Sequence, residues 1–203
     1  TDTRMQELLR YDLNVSNAVI SIILENEITD LVLGMSKERG LTTSFLGHVT
    51  DGIVNHSDVT TLIYKPVQPL STIKRHIIII PDKAEKEVGF RLWLKRVWNV
   101  TQNTGAKAVF YGSNATLERL KAVLPPQASN CDYKEFSNWN DFLIIFKDLR
   151  QNDTLWVIMS RNDGIIYDNI NRIPNYLNTY CRENSFILVY PLKSGASDNR
   201  YLT

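Results

Sequence analysis

The sequence predicts an α/β protein of doubly wound parallel-sheet domains in tandem, the first of them incomplete. Three observations carry that prediction. Short β-rich runs alternate with segments of helical periodicity along nearly all 203 residues, the pattern of a parallel sheet with helices on both faces. Several runs, Ile77 to Ile80 above all, are continuously apolar, as strands buried on both faces are. The pattern also restarts after a polar stretch bounded by Pro66 and Pro69, a break of the kind that separates structural units.

The elements follow in order. Met5 to Tyr11 reads as a short strand. Asn14 or Ser16 can cap the next helix, whose Val15, Val19, Ile22 and Ile23 recur at helical spacing. Thr29 to Leu33 is a β-rich run that ends at Gly34. A second helix presents Phe45, Val49, Ile53 and Val54 on one face, and Thr60 to Tyr64 is the third strand. The first section is therefore β-α-β-α-β.

The second section is fuller. Arg75 to Ile80 is a strand, and Val88 to Thr101 a helix with Phe90, Leu94, Val97 and Trp98 on its apolar side. Ala106 to Tyr111 is a strand. Thr116 to Leu124 is a helix stopped by Pro125-Pro126. Tyr133 to Phe136 is a short strand, and Trp139 to Leu149 a helix with Phe142, Ile145, Phe146 and Leu149 in register. Leu155 to Met159 is a strand. A helix near 170–182 has Pro174 in its first turn, and Phe186 to Tyr190 is the last strand. This makes five β units, a whole small domain. Residues 1–65 then read as the second half of a similar domain whose first half lies upstream, 66–73 as a linker, 74–192 as the complete domain and 193–203 as a polar tail. The absence of an initiator Met fits a piece of a longer chain.

Composition narrows the function classes. With 43% hydrophobic and 22% charged residues, the chain is too apolar for a disordered tail. A net charge of +1 argues against a nucleic-acid platform, which needs a broad basic field. No signal peptide and no spanning stretch of about 20 apolar residues is present. Cys131 and Cys181 stand far apart, so neither a zinc knuckle nor a disulfide framework is suggested. Trp93, Trp98, Trp139 and Trp156 fall at helix or strand positions and are expected in the core or at an interface. His48 and His56 lack a third ligand for a metal. Gly34-Met35-Ser36 lacks the closing glycine of a nucleophile elbow. No catalytic constellation is evident, so the chain is expected not to be an enzyme.

The chemistry-bearing stretch runs from Gly34 through Ser36 and Lys37 to Gly47 and His48. It follows a buried strand and opens a helix, the place where backbone N–H groups and a helix start receive phosphate. The same glycines equally suit a tight turn and close helix–sheet packing. With Asp30 to Gly34 as the strand, and Gly34 and Gly47 at the matching spacing, this stretch resembles the phosphate loop of the universal stress protein family. That resemblance implies a Rossmann-like fold of the adenine nucleotide alpha hydrolase type. It also implies a site for ATP or another adenine nucleotide at Gly34, Ser36, Lys37, Gly47 and His48. Lys37 stands where the family has a second glycine, and His48 where it has a hydroxyl, so the motif is degenerate. In the second domain Asp82 is similar to the family's acidic residue near the adenine, while Ser160 to Gly164 lacks the spaced glycines.

A narrower resemblance covers nearly the whole chain. Lys65 to Arg75, Ile77 to Pro81, Ala84 to Phe90 and Phe110-Tyr111-Gly112 resemble the cytoplasmic tail of bacterial cation:proton antiporters of the monovalent cation:proton antiporter-2 type. It implies a non-catalytic regulatory, ligand-sensing or dimerisation module on the cytoplasmic face of the inner membrane. The implied partners are a transmembrane antiporter domain of the same polypeptide and a second copy in a homodimer. Thr60–Tyr64 and Phe186–Tyr190 are then the edges expected to pair. The other reading is a stand-alone universal stress protein.

Overall fold

Among the described residues, every strand enters one sheet. The computed structural model describes residues 5–35, 45–125, 130–136, 142–161 and 172–193. Asn14 caps α1 (Val15–Glu25) by accepting a hydrogen bond from Asn17 N. There follow β1 (Asp30–Gly34), α2 (His48–His56) and β2 (Thr60–Lys65). The larger section comprises β3 (Arg75–Ile79), α3 (Phe90–Thr104), β4 (Lys107–Gly112), α4 (Asn114–Val123), β5 (Cys131–Glu135), α5 (Phe142–Lys147), β6 (Asp153–Ile158), α6 (Ile173–Tyr180) and β7 (Ser185–Tyr190).

The spatial order is β1-β2-β7-β6-β3-β4-β5. β1 and β2 run parallel, β7, β6, β3, β4 and β5 run parallel, and the two sets meet antiparallel at β2–β7. The strands expected as free edges for pairing between copies therefore pair with each other inside the chain. The predicted strand at Met5 to Tyr11 is absent: those residues carry no strand and are exposed. A strand needs a neighbour, and among the described residues this segment has none.

The antiparallel junction creates a local two-fold. Ile63 faces Leu188 at its centre. Leu33 lies beside Ile63 as Val157 lies beside Leu188. The match continues past the strands: Met35 N donates to Tyr64 O at 2.9 Å, and Met159 N donates to Val189 O at 2.8 Å. β1 is thus the counterpart of β6, β2 of β7, and Val32 of Trp156.

Burial follows this order. β6 and β7 are buried at every position, and Trp93, Trp156, Phe110, Phe142 and Phe186 fill the core. Trp98 packs against it from a partly buried position, whereas Trp139 lies outside the described residues. The segment between β2 and β3 crosses the amino ends of β7 and β6. It is held by Val67 N on Ser185 Oγ at 2.9 Å and by Lys74 N on Asn152 O at 2.8 Å.

Candidate functional site

The two parallel sets, β1 with β2 and β3 to β7, each present carboxyl ends, the place where ligands of such sheets bind; the loops there are called the first and the second crevice. Because β2 and β7 are antiparallel, the crevices lie at opposite ends of the sheet. Gly34, Gly47 and His48 belong to one and Asp82 to the other, so the sequence-predicted residues do not form a single site. Ser36 and Lys37 lie outside the described residues.

In the first crevice β1 leads toward α2. Gly47 caps α2 without a side chain and has φ +83° and ψ 151°, a conformation only glycine adopts readily. His48, the first helical residue, is exposed. Gly34 differs in its backbone alone: a Cβ added at either glycine meets nothing within 4 Å, but Gly34 lies in a strand and has no positive φ. The first crevice thus offers an uncapped helix start whose backbone N–H groups can receive an anion.

In the second crevice the acid is already engaged. Ser113 Oγ donates to Asp82 Oδ1 at 2.7 Å. Ser113 also caps α4, accepting from Thr116 N, and its hydroxyl lies 3.0 Å from that of Thr116. The Thr116 hydroxyl, fully buried, donates to Glu85 Oε2 at 2.7 Å. Asp82 and Glu85 are bound into the start of α4, which carries the partial positive charge of a helix N-terminus.

The loop after β6 holds a residue that sequence reasoning passed over. Arg161 is only 8% exposed. Its Nε donates to Pro191 O at 2.6 Å. Nη1 donates to Val54 O and, at 2.8 Å, to Ser57 O, while Nη2 donates to Val59 O at 2.6 Å and Thr61 Oγ1 at 3.3 Å. All five guanidinium donors are used. They tie the end of β6 and the end of β7 to the turn between α2 and β2. At the other end of the sheet Lys65 Nζ donates to Cys181 O at 2.9 Å and Arg182 O at 3.0 Å. Arg161 and Lys65 thus fasten one half to the other at opposite ends of the sheet.

These contacts shape the local electrostatics. Burial pushes the Tyr190 hydroxyl above the usual tyrosine range, with Asp51 adding to the shift and Arg161 opposing it. Burial likewise raises the Cys181 thiol to about 12, against the pull of Lys65, leaving it an inert protonated thiol. Among the described residues, no group of three or more His, Cys, Asp and Glu side chains could hold a metal ion.

No model of a known protein family matches the chain, and no curated protein matches it. Solved structures do. A universal stress protein from Archaeoglobus fulgidus superposes with a TM-score of 0.56 at 14% identity, over 89% of this chain and 67% of that one. The cytoplasmic domain of a prokaryotic cation chloride cotransporter superposes with a TM-score of 0.58 at 11% identity, over 94% of this chain and 74% of that one. The class is therefore a universal stress protein-like, Rossmann-type α/β fold with a mostly parallel seven-stranded sheet. Among the described residues no helix is long and apolar enough to cross a membrane.

Proposed function

We propose that this chain is a non-catalytic regulatory module of a cation transporter, placed on the cytoplasmic face of the membrane. The observation that carries this reading is the state of the second crevice. Arg161 occupies the start of its loop with five bonds to the chain itself, and Asp82 is committed to Ser113. Side chains engaged with the chain itself suit a scaffold better than an enzyme. The cotransporter cytoplasmic domain of similar fold supports the transporter assignment, and the junction stretch Lys65 to Arg75 favours a cation:proton antiporter, exchanging Na+ or K+ for protons. The module acts by binding one transporter state better than another.

A second reading rests on one feature: the glycine-capped start of α2 at the end of a parallel strand suits ATP or another adenine nucleotide, as in a stand-alone universal stress protein. Proton-flux assays in membrane vesicles carrying the full polypeptide, with and without this region, test the first reading. A changed ion or pH dependence on deletion is expected. Unchanged transport, or a polypeptide with no membrane spans, overturns it. In the second case submillimolar ATP binding, lost in Gly47→Val, establishes the alternative.

A further inference from the structure

The two edges of the sheet are built differently. β5 is polar, with Asp132, Lys134 and Glu135 among its five residues, as natural edges are. β1 reads Asp-Leu-Val-Leu-Gly, and its one charge, Asp30, is paired with Arg96 at 2.6 Å. It has no lysine, proline or bulge to guard an edge, yet among the described residues its sole strand partner is β2. Val32 is 63% exposed, while its counterpart Trp156 is fully buried. The difference arises because β6 has β3 on its far side, with Ile78 beside Trp156, and β1 has no such strand.

A second anomaly lies in the segment before α1. Leu8, Leu9, Tyr11 and Leu13 are all exposed, three of them by more than four-fifths. In the larger section the segment just before α5 is β5, separated from β6 in the sheet by β4 and β3. Under the local two-fold, α1 answers to α5, so Met5–Tyr11 answers to β5.

From these positions we infer that the β1 edge is a docking slot for two parallel strands. They belong to a β-α-β segment preceding this region in the same polypeptide, and Met5–Tyr11 becomes the strand beyond them. The order outward from β2 is then β1, two inserted strands, and Met5–Tyr11. One occupant removes both anomalies. A second copy paired across β1 by a two-fold axis covers Val32 but leaves Leu9 and Tyr11 in water. The solved structures of the same fold also have room for it, since a quarter to a third of each lies outside the match. The inference rests on sheet geometry and holds whether or not the module serves a transporter.

Amide hydrogen exchange tests it, on this 203-residue chain and on the polypeptide extended through its preceding segment. In the extended protein the outward-facing amides of β1, and those of residues 5–11, are expected to exchange at least about a hundredfold more slowly. Val32→Lys is expected to leave the melting temperature of the 203-residue chain unchanged and to lower that of the extended protein. Three results overturn the inference: unchanged exchange at either segment on extension, a reading frame that opens at this chain's own first residues, or β1 protection in the 203-residue chain that rises with concentration alongside a sedimenting dimer. Because exchange at β1 needs no membrane and no ion, its failure is separable from a failure of the transport assay.

Discussion

β1 and β6 occupy equivalent places around the β2–β7 junction and fare differently. Both are apolar strands beside a parallel partner, and Val32 and Trp156 answer to each other residue for residue. Yet β6 is buried throughout and β1 is not buried at any position. The sequences do not account for this, since Leu-Val-Leu is as strand-like and apolar as Leu-Trp-Val. The number of neighbours does. A strand between two others has both edges shielded from water, whereas an edge strand leaves one of them exposed.

The largest effect that would sharpen the contrast comes from truncating both side chains. Trp156→Ala removes a fully buried indole that also donates its Nε1–H to His76 Nδ1 at 3.0 Å. Its expected cost is about 3–5 kcal/mol. Val32→Ala in the same chain is expected to cost less than about 0.5 kcal/mol, because most of the side chain is already in water. Urea denaturation of the two variants measures the difference. Equal costs would mean that the β1 edge is covered in the 203-residue chain.

The next effect depends on pH and belongs to the larger section alone. His76, at the start of β3, is fully buried. Its Nδ1 accepts from Trp156, so the neutral ring carries its proton on Nε2 and donates to Thr104 Oγ1 at 2.9 Å. Burial lowers its pKa from 6.5 to about 4, and Asp153 opposes the shift only in part. An imidazolium would turn a second N–H against the indole N–H. Between those two values the unfolded chain binds the extra proton and the folded chain does not. Stability is therefore complete above pH 6.5 and falls by about 3 kcal/mol as the pH drops to 4, with no further loss from this group below that. Chemical denaturation from pH 7 to pH 4 should show this loss in the native chain. His76→Gln, which does not titrate, should flatten it; a slope that survives the substitution would assign the effect to other groups.

The sequence made the repeating strands and helices legible because hydrophobic periodicity is local. Among the described residues, five of the seven strands match β-rich runs to within one residue at each end, and β5 and β6 each begin two residues earlier than the runs Tyr133–Phe136 and Leu155–Met159 predict. The resemblance to a stress-protein fold was carried by Gly34 and Gly47, a spacing that survives in one chain. Three things were not legible. Strand direction across the β2–β7 junction depends on how the linker from Pro66 runs, and no residue type encodes a path along the amino ends of β7 and β6. Met5–Tyr11 has a strand's composition but not a strand's neighbour. Arg161 reads as one charge in a loop that lacks the family's spaced glycines, because its five acceptors are carbonyl and hydroxyl oxygens drawn from positions 54 to 191. Backbone acceptors leave no signature in a sequence.

The smallest effect separates two glycines that the sequence placed in one motif. Gly47 stands at φ +83° and ψ 151°, so Gly47→Ala must either strain the backbone or unwind the first turn of α2, at a cost of about 2 kcal/mol. Gly34 has ordinary strand geometry and open space where a Cβ would go, and Gly34→Ala is expected to be neutral or slightly stabilising. A thermal melt of each variant, read beside nucleotide titration, distinguishes shape from chemistry. If Gly34→Ala weakens nucleotide binding without changing stability, the first crevice approaches its ligand through Gly34. If only Gly47→Ala has any effect, and that on the melt alone, the pair reduces to one helix start, and the crevice's glycine spacing is a matter of backbone conformation rather than of a phosphate.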